Sequence, residues 1–158
     1  MAYVSRGFIP QTSLASNLGF TRPMYIPAGN GTATALYDIV KVSTSGSTVD
    51  TAGVPAGLMG CVRVSDKDDV PCGVIVGFIA DPDYLNQTYR SASTARVALV
   101  NYDPQVVLEA QEDDNGTTLA VARIGTPVDL VPGSIDTVTG TSGMQISSAT
   151  LAGSPGMF

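Results

Sequence analysis

From Ala35 onward, turn-forming residues interrupt this chain about every 8–12 residues, which leaves room for strands but not for helices of ordinary length. Leu36-Tyr-Asp-Ile-Val-Lys-Val-Ser43 is β-branched and roughly alternating, and it runs out at Ser43-Thr-Ser-Gly46. Beyond a turn at Val54–Gly57, Leu58–Ser65 reads as the next strand. Cys72-Gly-Val-Ile-Val-Gly-Phe-Ile-Ala80 is the most apolar run of the chain. It is bounded by Pro71 and Asp81-Pro82, so its length predicts a buried central strand, with Gly73 and Gly77 marking bends or close backbone packing.

Asp81–Ser93 is a polar excursion carrying Tyr84, Tyr89 and Arg90. Ala95–Asn101 and Gln105–Glu112 then flank the turn Tyr102-Asp-Pro104. In the second of these, Val106, Leu108 and Ala110 fall on one face and Val107, Glu109 and Gln111 on the other, the pattern of a half-buried strand. Thr117–Gly125 fits either a strand or a single helical turn. Val128–Val131 and Met144–Ser147 close the series. The expected fold is all-β, a single β-barrel or jelly-roll-like β-sandwich over residues 36–158.

Residues 1–35 read differently. Two short apolar anchors, Arg6-Gly-Phe-Ile-Pro10 and Arg22-Pro-Met-Tyr-Ile-Pro27, are separated by the polar stretch Gln11–Asn17. This pattern predicts an extended N-terminal arm or peripheral loop over residues 1–35, ordered only if something binds it.

Only 14% of the residues are charged while 44% are apolar. A surface so poor in charge suits either a Ser/Thr-faced β-domain or a subunit packed against others. The net charge is −6, and the cations (Lys41, Lys67 and six scattered arginines) form no cluster. Nucleic acid is therefore not expected as a partner, because a phosphate backbone needs grouped cations. The first ten residues contain no apolar leader, and no run approaches the roughly 18 apolar residues of a membrane span. Synthesis and assembly in the cytoplasm, without membrane contact, are the expectation.

Histidine is absent, which removes Ser-His-Asp and Cys-His catalysis. The only glutamates, Glu109 and Glu112, lie on one expected strand, a poor arrangement for a carboxylate pair facing across a cleft. No enzymatic activity and no cofactor are expected. The acidic turns Asp66/Asp68/Asp69 and Glu112/Asp113/Asp114 lack a full calcium loop and read as solvated hairpin tips, so no metal is expected either. A hairpin pivoting on Asp66 and Lys67 would set Cys61 opposite Cys72. Cytoplasmic synthesis nevertheless favours buried free thiols over a cross-strand disulfide.

From Ala80 to Glu112 a resemblance enters. Asp81-Pro-Asp-Tyr-Leu, Tyr89-Arg-Ser-Ala-Ser-Thr-Ala-Arg96, Asp103-Pro and Leu108-Glu-Ala-Gln-Glu-Asp resemble segments of tailed-phage capsid cement (head decoration) proteins. Gly140-Thr-Ser-Gly-Met-Gln-Ile and the start Arg6-Gly-Phe-Ile-Pro are similar as well. The chain departs from that pattern at Leu151-Ala-Gly-Ser-Pro-Gly-Met-Phe158, where a final apolar strand would stand.

The resemblance implies a virion structural protein, a homotrimer on the outer surface of the capsid whose partner is the major capsid protein. It brings no catalytic residues. The expected contact residues are Arg6, Phe8 and Ile9 in the arm and Tyr84, Tyr89 and Arg90 in the loop. On that expectation Phe8→Ala weakens shell occupancy and leaves the isolated fold intact. A head-fibre base or tail component, and a receptor- or carbohydrate-binding β-module with an exposed aromatic pocket, are the alternatives.

Overall fold

The computed structural model describes residues 5–14, 20–47, 54–66, 68–113, 115, 119 and 124–151. Among these there is no helix, and nine strands follow in order: β1 Ile9–Ser13, β2 Thr21–Ile26, β3 Ile39–Ser43, β4 Gly60–Arg63, β5 Gly73–Phe78, β6 Arg96–Asn101, β7 Val106–Glu109, β8 Val128–Val131 and β9 Gln145–Leu151. Strands β2, β4, β3, β5 and β6 close in that order into a barrel, while β1–β7 and β8–β9 form two-stranded ribbons. The all-β expectation holds as a barrel with attached ribbons, not as a jelly-roll sandwich.

Alternation on β3 and β5 explains the layering. Val40 and Ile75 point into the barrel, where they pack with Met24, Ile26, Cys61, Ala98 and Val100. Their chain neighbours Ile39 and Val74 point the opposite way, into a second core with Phe8, Val64, Leu130 and Met144. Both faces are therefore covered where β3 and β5 begin: Ile39, Val40, Val74 and Ile75 are each 1% exposed or less. Burying side chains of this size stabilises by roughly 1.5–3 kcal/mol apiece. The unbroken apolar run at Cys72–Ala80 was the sequence sign of such double burial. Its glycines fit their places: a Cβ on Gly73 would strike the Asn101 carbonyl, and Gly77 sits at an irregularity in the β5–β6 register.

The N-terminal arm is not what forms. β2 is a barrel strand, aligned with β6 over six residue pairs from Thr21↔Asn101 to Ile26↔Arg96. Pro23 conceals this in the sequence, because proline is usually excluded from interior strands. Tyr25 N–H donates to Met59 O on the β4 side, so Pro23, two residues earlier, has its missing N–H on that same side. There the β2–β4 ladder is a single pair, Tyr25↔Gly60, and nothing is lost. β1 in turn pairs with β7 along Ile9↔Glu109 to Ser13↔Val106.

The expected Cys61–Cys72 hairpin is also overturned. β3 lies between β4 and β5, setting Val42 opposite Cys61, and Cys72 N–H donates to Val40 O. Both cysteines are free thiols, Cys61 buried and Cys72 half-buried. The Thr117–Gly125 ambiguity falls mostly outside the described residues, which include only Leu119, Ile124 and Gly125 of it.

Behind the barrel, Asp38 ties three segments together. Its carboxylate accepts from Ala35 N (2.7 Å) and Ser142 Oγ (2.5 Å) and lies 2.9 Å from Arg63 Nε, which approaches off the hydrogen-bond axis. Arg63 also donates to Gly133 O.

Candidate interaction surface

The connection between β5 and β6 has no apolar core of its own, and two buried arginines shape it instead. Arg90 is 0% exposed and spends its whole guanidinium on main-chain carbonyls. Nε donates to Thr94 O, Nη1 to Thr32 O, and Nη2 to both Pro27 O and Asn30 O, at 2.6–2.9 Å. Its own backbone exchanges two hydrogen bonds with Thr34. Only the planar five-donor fork of arginine can serve acceptors spread over this arc. Burial pushes its pKa down to about 10, which still leaves it charged at neutral pH.

Arg96 does the same for the other half of the loop. Its Nη2 donates to Gln87 O at 3.0 Å, and its Nη1 to Tyr89 O. The guanidinium carbon sits 4.9 Å from the centre of the Phe78 ring, a cation–π contact that covers the charge on its apolar side. Asp81 caps the first turn, its Oδ1 accepting from Asp83 N at 3.0 Å, while Tyr84 N–H donates to Asp81 O and Gln87 N–H to Tyr84 O.

What this scaffold holds outward is a tip of two apolar side chains, Tyr84 at 59% and Leu85 at 75% exposed. Tyr84, Leu85 and the half-buried Tyr89 line a shallow depression with Asp83, Asn86 and Gln87.

The six expected contact residues therefore divide. Tyr84 and Tyr89 share this surface. Arg90 does not, because its side chain has no surface left to offer and acts as the loop's internal fastening. Phe8 is likewise removed, being 3% exposed in the second core, because the Arg6-Gly-Phe turn carries it inward against Met144 and Ile39. Arg6 is exposed and Ile9 half-buried in β1, and no residue of β1 lines the depression.

Two features escaped the sequence reading. One is Leu85, whose signal is that a leucine between the polar turn residues of Asp81–Gln87 has nowhere to bury. The other is a cleft of about 310 Å³ at the opposite end of the β5–β6 hairpin, with Ile39 and Val74 among its lining and Pro71, Tyr102 and Leu108 around them. Phe20 (53% exposed) lies against Tyr102, with ring centres 6.1 Å apart, and Arg22 stands 5.4 Å from the centre of the Tyr102 ring. The signal for this cleft was an aromatic residue set inside a turn, Tyr102-Asp-Pro.

Among the described residues no group of three or more His, Cys, Asp or Glu side chains could hold a metal ion. In the acidic turns, Asp69 accepts from Ser65 N and Asp66 N and pairs with Lys41 of β3 at 2.5 Å, and Asp113 accepts from Ser148 N and Oγ of β9. No family model, curated protein or solved structure matches the chain.

Proposed function

We propose that the chain is a virion structural protein of a tailed phage, which binds the outer surface of the capsid as a homotrimer and cements neighbouring capsomers. The observation that carries this reading is the β5–β6 loop. It is the stretch in which the sequence resembles capsid cement proteins, and it also carries an exposed apolar tip on a loop fastened by the buried Arg90 and Arg96. A fixed, exposed Tyr84–Leu85 tip costs little further ordering when a partner covers it, as a contact surface requires. A trimer would present such surfaces in triplicate, so that modest single contacts add up through effective concentration.

Co-sedimentation of the purified protein with expanded shells of the phage that encodes it tests the proposal. The expected result is saturable binding at a fixed ratio to the major capsid protein. Bare shells at saturating protein would overturn it and leave a tail or head-fibre role. A receptor- or carbohydrate-binding role has one observation in its favour, the pairing of Tyr84 and Tyr89 with Asp83, Asn86 and Gln87 around a shallow depression. Glycan binding that is lost in Tyr84→Ala, with no shell binding, would favour that second reading.

A further inference from the structure

We propose that the Tyr84–Leu85 tip of one copy seats in the cleft beside Tyr102 of a second copy, so that the chain assembles head to tail. The inference deepens the reading of the loop as a contact surface and rests on it.

Three observations meet here. The first is shape. A protruding apolar tip and an apolar recess lie on the same molecule, with Leu85 75% exposed on one and Pro71, Tyr102, Val106 and Leu108 among the lining of the other. A recess of about 310 Å³ has room for one or two side chains and stands at the small end of the range for bound ligands.

The second is placement. In the β5–β6 pairing, Val74↔Asn101 marks the end that leads to the cleft, and Phe78↔Ala98 lies toward the end that leads to the loop. Four residue steps of strand, roughly 13 Å, separate them. One copy cannot fill its own recess, so the contact must be made between copies. A contact between two different patches is heterologous, and it closes into a ring when the rotation allows.

The third is charge. Asp81 and Asp83 flank the tip, and Asp83 is exposed. At the cleft stands Arg22, its guanidinium carbon 5.4 Å from the centre of the Tyr102 ring that lines the recess. Among the described residues Lys41 pairs with Asp69, Arg63 with Asp38, and Arg90 and Arg96 with carbonyls, while Arg6 is exposed just before β1. The Asp103 carboxylate at the cleft already accepts from Ser13 Oγ and Gln105 N. Exposed Asp83 at the tip and Arg22 at the cleft thus offer one opposite-charge pair across the contact, while exposed Phe20 and Val70 supply apolar area to cover.

Sedimentation velocity over a concentration series, without shells, tests the inference on the intact chain. The wild type is expected to form a small closed oligomer. Leu85→Asp is expected to weaken assembly by tenfold or more, and its unchanged thermal unfolding would show that the fold is intact. Arg22→Asp and Asp83→Arg are each expected to weaken assembly, and the double variant to recover most of it. A wild type that stays monomeric overturns the inference, as does assembly indifferent to Leu85→Asp or a double variant no better than the singles. The two proposals fail separately: shell binding is read by co-sedimentation, self-association by sedimentation of the protein alone.

Discussion

Arg63 Nε lies 2.9 Å from Asp38 Oδ1, with the two side chains 9% and 0% exposed. Burial raises the Asp38 pKa above its ordinary 3.8, and the Arg63 charge and the bonds from Ser142 and Ala35 pull it only part of the way back. The folded state therefore holds this proton more tightly than the unfolded chain does. The stabilisation from that proton is complete below pH 3.8 and is lost as pH rises through the raised value. Arg63→Met strips the cation from a buried carboxylate. The expected cost is about 3–5 kcal/mol where Asp38 is ionised and much less once the pH falls below its raised pKa, where the carboxyl is neutral. Urea unfolding of wild type and variant across pH checks both parts. Asp69, Asp113 and Asp136 behave in the opposite sense, since hydrogen bonds lower their pKa values and their contribution is lost as pH falls.

Arg90→Lys tests whether the loop depends on the guanidinium fork. A lysine ammonium is one point with three donors, and it cannot reach carbonyls of Pro27, Asn30, Thr32 and Thr94 together. Buried acceptors left unpaired cost roughly 1–3 kcal/mol each. The variant is expected to lose about 3 kcal/mol or more in urea unfolding. Hydrogen exchange should quicken at the Thr34 and Ser93 amides, which donate to Arg90 O and Asn30 O. Exchange unchanged at both positions would show that the fork does not organise this crossing.

Strand content was legible in the sequence because turn residues bound apolar runs, and β6, β7, β8 and the doubly buried β5 stand close to where the pattern put them. Connectivity was not legible. Periodicity says that Cys61 and Cys72 lie on strands, but nothing local says that β3 inserts between them. β2 was hidden by Pro23, whose lost N–H matters only if that side of the strand is paired. Half of the candidate surface was readable, because Tyr84 and Tyr89 stand in a polar stretch. Arg90 and Phe8 were misplaced for a shared reason: a residue type enriched at interfaces is also the type that fastens loops or fills a core, and only tertiary contacts separate the two.

Phe8→Ala is now expected to damage the fold itself. Phe8 is 3% exposed and packs in the second core, where its loss leaves a cavity between β3 and the β8–β9 ribbon. Truncations of this kind cost about 3–5 kcal/mol. Thermal unfolding of the isolated protein checks this. A melting temperature within a degree or so of wild type would contradict the packing described.

Gly143 and Gly31 make a contrasting pair. A Cβ on Gly143 would overlap the Ser134 carbonyl, and one on Gly133 would overlap the Gly143 carbonyl, so two backbone segments meet there without space for a side chain. Neither glycine needs a left-handed φ, and close approach is the constraint. A Cβ on Gly31 meets nothing within 4 Å. Gly143→Ala is expected to destabilise by about 1–3 kcal/mol or more through forced separation of the two backbone segments, and Gly31→Ala to be neutral or slightly stabilising. Equal effects of the two in urea unfolding would contradict this geometry.

Cys61 and Cys72 are expected to remain separate thiols even under oxidising conditions. Strands in a sheet stand about 4.8 Å apart, and with β3 between them β4 and β5 are separated by roughly 9.6 Å. A disulfide requires Cα atoms within about 7 Å. Burial also pushes the Cys61 pKa up to about 12 and raises that of Cys72, where the Arg22 charge opposes the rise without cancelling it. Since the thiolate is the reactive species, both should react slowly with an aromatic disulfide reagent at about pH 8, Cys61 more slowly than the half-buried Cys72. In urea both should react at the rate of free cysteine. Mass spectrometry after mild oxidation of the folded protein should show no loss of two hydrogens. A rapidly formed internal disulfide would mean that β3 does not stand between β4 and β5, and the barrel order itself would then have to be redrawn.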